Sequence, residues 1–217
     1  MMWRWQRLLF AAAALLGASA SLAQSYPDRP IRLIVPFGPG GVTDITARTV
    51  SPFISELLRG TLVIENRAGG ATIIGTEAVA KAKPDGYTLL LTSGGALAAN
   101  PVLYKKLPFD TLNELTGVSQ VSALPYVLVV NPTSELASVA DVVRLAKDKP
   151  RAISYASAGS GSGNHLTAEL FANAAGVELL HVPYKSGGAM VTDLMAGNVV
   201  LAFSGLPAAL SHIKSAK

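Results

Sequence analysis

The chain contains no cysteine. That excludes disulfides, thiolate nucleophiles, cysteine-ligated metal sites and the lipid-anchored form of an export signal. Aromatic residues are scarce, at 6%, and no basic stripe is interleaved with them, which argues against a nucleic-acid surface. Charge is also thin. Only 15% of residues are charged, with 18 basic against 14 acidic. Without the two arginines of the first 23 residues the balance is 16 to 14, too even to select a polyanionic partner. There are no charge blocks, low-complexity tracts or solenoid repeats. Long apolar runs are missing as well: the best, Leu8–Leu16, is too short to span a bilayer. What remains is a chain half of whose residues are apolar, long enough to fold around its own core without staples.

The start, "MMWRWQRLLFAAAALLGASASLA", has the layout of a cleavable export signal. Arg4 and Arg7 form a basic region, Leu8–Leu16 an apolar one, and Ser21 and Ala23 occupy the small-residue positions of a cleavage site. An N-terminal anchor is the alternative. Trp5 and Gln6 separate the arginines, so the twin-arginine form is not supported.

From Ile31 onward short apolar runs alternate with longer amphipathic ones. "IRLIV", "TLVIE", "YTLLLT", "ISYA", "ELLHV" and "NVVLAF" read as strands. Helices are expected over 42–59, 76–83, 138–149, 165–175, 189–196 and 207–215, with Pro52 kinking or breaking the first. "VSQVSALPYVLVVNP" reads as a strand or strand pair leading from one sheet to another. Alternating strands and helices imply an α/β chain with mostly parallel sheets. Two similar half-chains suggest two lobes, 24–122 and 123–217, facing one cleft.

Two loops stand out. "VPFGPGGVTD" and "SAGSGSGNH" each carry the chain from a strand into a helix on glycine and small polar residues. Glycine admits close backbone approach, and a helix start offers unpaired N–H groups and the positive end of its dipole. Phe37, Gly38, Gly40, Gly41, Thr43 and Asp44 in the first loop, and Ser157, Gly159, Ser160, Gly161, Ser162 and His165 in the second, are candidate anion-binding residues. Thr43 and Asp44 also suit a helix cap. A tight capped turn and a flexible exposed loop are the plain alternatives. The first loop is neither a phosphate-binding Walker loop nor a complete dinucleotide fingerprint. Neither loop holds Lys or Arg, which fits singly charged carboxylates better than phosphate.

Enzyme chemistry has less support. Gly159–Gly163 places Gly where a nucleophile elbow needs Ser. His165, His181 and His212 lack metal-ligand spacing, so no metal or other cofactor is expected. His165 is read as a ligand contact or a cap, His181 as structural, His212 as a surface residue. Glu169 and Asp193 are expected to face solvent. A secreted hydrolase or transferase using a loop Ser is the competing function.

Several long motifs occur together and in order: "VPFGPGGVTDITAR", "VIENRAGGATIIGTEAVAKAKPDGYTLLL", "NPVLYKKLPFD", "ISYASAGSGSGNHLTAELF" and "HVPYKSGGAMVTDLMAGNVVLAF". From about Tyr26 to its last residue the chain closely resembles the Bug-type, TctC-like extracytoplasmic solute receptors of tripartite tricarboxylate transporters. The resemblance implies a two-lobed, Venus-flytrap fold in the periplasm, capturing a small mono- or dicarboxylate. The chain is expected to be a monomer that passes its ligand to membrane permease subunits or to a sensor kinase. It implies that the two loops hold the carboxylates through backbone amides, and that Ser93 and Gly94 line the wall. Where members often carry Asp-Asn after "VVLAF", this chain has Ser204-Gly205; Ser204 joins the candidates, and an amine-bearing ligand becomes less expected. The resemblance further implies strands and helices beyond Lys217 that return to the first lobe. That C-terminal return is expected to be missing here, which leaves a truncated, nonfunctional remnant as another reading.

Overall fold

The computed structural model describes residues 26–215; the expected export signal, 1–23, lies outside them. Among the described residues no helix is long and apolar enough to cross a membrane.

The first sheet is built around β1 (Ile31–Val35), with β2 (Leu62–Asn66) on one side and β3 (Thr88–Leu90) on the other, all parallel. β1 is central because four of its five residues are apolar and buried. Its one outward residue, Arg32, pairs with Glu65 on β2. Helices α1 (Val42–Leu58) and α2 (Ile73–Ala80) make the crossovers that parallel strands require. α3 (Gly94–Leu103) follows β3. α1 runs on through Pro52 rather than ending there.

The second sheet has the order β4-β7-β5-β6. β5 (Ser154–Ser157), β6 (Leu180–Pro183) and β7 (Leu201–Gly205) are parallel, and β4 (Tyr126–Val130) is an antiparallel edge on β7. The connecting helices are α4 (Val139–Asp148), α5 (Gly163–Ala175) and α6 (Gly187–Met195), and α7 (Leu206–Lys214) follows β7. Both faces are covered. Tyr155, Leu201 and Phe203 point into a core with Val142, Ala146 and Ala168; the alternate residues Ala156 and Ala202 meet Met190, Val191 and Leu194. That two-sided burial explains why β5 and β7 read as continuous apolar runs.

Of the strand or strand pair expected over 118–132, the single strand forms. Only Tyr126–Val130 is a strand, because β7 offers five partners and no strand pairs with 118–125. Val118 is 86% exposed.

Candidate functional site

In both sheets the helices start at the carboxyl ends of the strands, and five helix N-termini meet at one cleft. Its lining includes Gly41 and Thr43 of α1, Ser93 of α3, Ser162, Gly163 and Asn164 of α5, Gly187 of α6 and Ala208 of α7. Phe37, Val42, Tyr126, Ala158, Met190 and Ser204 complete the wall around about 410 Å³ of empty volume, part of it open to solvent. Among the described residues no Lys, Arg, Asp, Glu or His lines it.

The local sequence explains the convergence. Ser93, Ser162 and Ser186 are N-caps whose hydroxyls each accept one amide, from Ala96, His165 and Ala189. Each cap satisfies only the third residue of its helix, so the first two N–H groups remain for another acceptor. α1 and α7 begin at Gly41 and Gly205 with no side-chain cap. Thr43 and Asp44 therefore lie in the first turn of α1 and do not cap it. Tyr126 closes one side with its hydroxyl against α5; a Cβ on Gly163 would come within 2.1 Å of that oxygen. Burial raises the Tyr126 pKa above its usual value, so the phenol stays a protonated donor.

The lobes touch through backbone. Gly38 N–H donates to the Lys185 carbonyl at 3.2 Å. A Cβ on Gly187 would lie 2.8 Å from Gly41 Cα, and one on Gly188 3.0 Å from the Pro39 carbonyl oxygen. Gly38 and Gly40 thus face the β6–α6 loop, not the cleft. On the far side Gly161 abuts Asn100 and Leu103 of α3.

Six of the sequence candidates line the cleft: Phe37, Gly41, Thr43, Ser93, Ser162 and Ser204. Gly94 does not, being one residue past the cap that does. Asp44 is corrected. Its carboxylate is buried and turned inward, accepting Gly40 N–H (3.0 Å), Arg48 Nε–H (3.0 Å) and Asn66 Nδ2–H (3.0 Å). Burial works against its charge, but those bonds outweigh it and hold the pKa below the usual carboxylate value. Asn66 also donates to the Phe37 carbonyl, so it braces the loop from β2.

Ser157 is likewise corrected. It is fully buried, with Oγ 2.6 Å from His181 Nε2 and accepting Gly159 N–H at 3.1 Å. Gly159, Ser160 and Gly161 fall outside the lining. His165 turns back to its own loop, where Nδ1 accepts Gly161 N–H at 3.2 Å. Glu169 and Asp193 do not simply face water. Each accepts a tyrosine hydroxyl, Tyr155 at 2.5 Å and Tyr184 at 2.7 Å. Ser157 is therefore shut away from solvent against a half-buried His181, and the nearby carboxylate is committed to Tyr155. Nucleophilic catalysis needs both an accessible Ser and an oriented base. Among the described residues no group of His, Asp and Glu could hold a metal ion.

Sequence reading missed Tyr126, Gly187, Met190 and Ala208, and within its two chosen loops did not single out Val42, Ala158, Gly163 or Asn164. "PYKSGG" carries the same strand–small loop–helix signal as the two chosen loops and could have flagged Gly187. Tyr126 had no local signal, since its role depends on the pairing of β4 with β7.

Two α/β lobes meeting at a cleft walled by helix N-termini define a periplasmic-binding-protein fold. The family described as "Tripartite tricarboxylate transporter family receptor" (TctC) matches residues 46–217, and the chain belongs to that family. Protein BugT of Bordetella pertussis is 41% identical over 208 residues, covering 95% of this chain and 64% of BugT. Among solved structures, R. palustris Rpa4515 with adipate superposes with a TM-score of 0.84 at 36% identity, over 88% of this chain and 64% of that one. MatC from Rhodopseudomonas palustris with bound malate gives 0.82 at 25% identity, over 88% and 65%. The chain thus spans a little under two thirds of the length of these relatives.

Proposed function

We propose that this chain is the ligand-gripping part of a periplasmic receptor that captures a small carboxylate for the permease of a tripartite tricarboxylate-type transporter. The observation that carries the reading is the meeting of five helix N-termini at a cleft on which, among the described residues, no charged side chain lies. Each N-terminus favours an anion by roughly 0.3–1 kcal/mol, and each amide bond to a charged oxygen adds about 1.5–3 kcal/mol. Together these offset the several kcal/mol lost when a carboxylate leaves water. A doubly charged phosphate would ask for more, and no Arg or Lys on the lining supplies it. Phe37, Val42 and Met190 suit the hydrocarbon between or beside carboxylate ends. The dicarboxylates bound by Rpa4515 and MatC support the same class. Release into the periplasm by cleavage near Ala23, lobes divided near residue 122, a monomeric state and delivery to permease subunits or a sensor kinase belong to this reading.

The test is calorimetry of the chain with adipate and malate, against glucose and inorganic phosphate. Ala208, in the first turn of α7, supplies the control. Ala208→Glu puts a carboxylate among the open amides and should abolish capture; Ala208→Gln should weaken it far less. Binding of glucose or a cation without binding of any carboxylate would overturn the proposal.

A further inference from the structure

Behind the β5–α5 loop lies a stack of rings that the cleft does not use. His165 and His181 sit with ring centroids 4.3 Å apart, and His181 stacks on Tyr155 at 4.9 Å. Each imidazole holds one end of the loop. Ser157 Oγ accepts Gly159 N–H and lies 2.6 Å from His181 Nε2, and with that nitrogen unprotonated the serine is the donor. At the other end Gly161 N–H donates to His165 Nδ1, and His165 N–H donates to Ser162 Oγ at 3.4 Å. Gly161 has φ +78°, a left-handed turn that its bond to His165 secures. The next two residues, Ser162 and Gly163, form the cleft wall at the start of α5.

We propose that His165 and His181 are positioning residues that keep the α5 loop in its carboxylate-binding shape only while both rings are neutral, so that capture weakens on acidification. The inference rests on the carboxylate reading of the cleft. A proton on His165 Nδ1 sets two N–H donors against each other and breaks the Gly161 turn. A proton on His181 Nε2 makes that nitrogen the donor to Ser157 Oγ, so the serine's own proton must turn away from the ring inside a fully buried site. Two imidazolium rings at this spacing also repel. The titratable groups facing the pair are Tyr155 from β5, whose hydroxyl is committed to Glu169, and Glu169 from α5. α3 presents neutral Asn100 and Leu103 to Gly161, and Tyr184 after β6 gives its hydroxyl to Asp193. Burial and the neighbouring His165 ring depress the His181 pKa to about 4, with Glu169 opposing them. Linkage makes the effect reciprocal: a bound carboxylate must lower the proton affinity of the pair.

The experiment has two arms. In the first, adipate or malate affinity is measured from pH 8 to pH 5 for wild type, His165→Asn and His165→Phe. Asn keeps an acceptor for Gly161 N–H but does not titrate. Wild type should weaken by about tenfold or more across that range, the loss of one well-placed hydrogen bond. His165→Asn should rescue tight binding with a flat profile, which also controls for protonation of the ligand itself. His165→Phe should be weak throughout. In the second arm, amide and imidazole NMR signals of the ligand-free protein are followed over the same range. The Gly159 and Gly161 amides should shift together with the ring signals. If they ignore ring titration, or if wild type and His165→Asn share one pH profile, the inference fails. Should no carboxylate bind at any pH, the function reading falls, while the amide titration still decides whether the histidines position the loop.

Discussion

Replacing Gly187 by Ala tests whether loop contact between the lobes belongs to the liganded state. Gly187 is the first residue of α6, where the backbone needs no positive φ. Alanine costs nothing conformationally there and should favour the helix by roughly 0.5–1 kcal/mol. The obstacle is across the cleft: the new Cβ would lie 2.8 Å from Gly41 Cα and 3.7 Å from its nitrogen. An ordinary carbon contact begins near 3.5 Å, and backbone cannot rotate aside as a side-chain tip can. Either the loops part by several tenths of an ångström or the closed state carries the overlap, which for one added methyl typically costs about 1–3 kcal/mol. Only the closed state is affected, so affinity should drop about 5- to 150-fold, while the ligand-free Tm stays level or rises slightly. Titration calorimetry, ligand-free melts and a scattering measurement of compaction read the three quantities. Gly117→Ala, where a Cβ meets nothing within 4 Å, is the neutral control. Wild-type affinity in Gly187→Ala would refute the idea that these loops touch in the complex. A fall in ligand-free Tm would instead mean that the lobes never part.

Two further outcomes follow from buried titratable groups. His181 titrates at about 4 in the fold against about 6.5 unfolded, so between these values the unfolded chain holds the extra proton. Stability should be full above pH 6.5 and decline as pH falls toward 4, by no more than about 3 kcal/mol, and by less once partial solvation is allowed for. Urea melts of wild type and His181→Gln between pH 7.5 and 4 measure it, and parallel curves would contradict it. Asp44→Asn removes the charge that holds Gly40, Arg48 and Asn66 together and should cost about 1–3 kcal/mol at pH 7. Because the folded pKa of Asp44 is depressed, its contribution is present above the unfolded carboxylate value and is lost as pH falls through the folded one. The gap between variant and wild type should therefore narrow as pH falls below the ordinary carboxylate value, as read in denaturant melts.

The strand–helix alternation, the parallel sheets and the glycine-rich helix starts were legible in the chain, because each is written in local periodicity and in the conformational needs of neighbouring residues. "IRLIV" has four apolar residues in five, as a central strand needs, and "SAGSGSGNH" is made of the small residues that open a helix. The lack of Lys and Arg in the two loops is likewise read directly from the chain, and it is why backbone is proposed as the anion-binding group. Which atoms face the cleft was another matter. Asp44 and Ser157 sit in the right loops, yet their side chains are drawn inward by Arg48 and Asn66, and by His181, partners 4, 22 and 24 residues away. Tyr126 and Ala208 enter the wall only because β4 and β7 pair, and Gly187 only because two distant loops touch. Local sequence determines where a helix can begin and what it can offer; the packing of one lobe on the other decides which offers meet at one place.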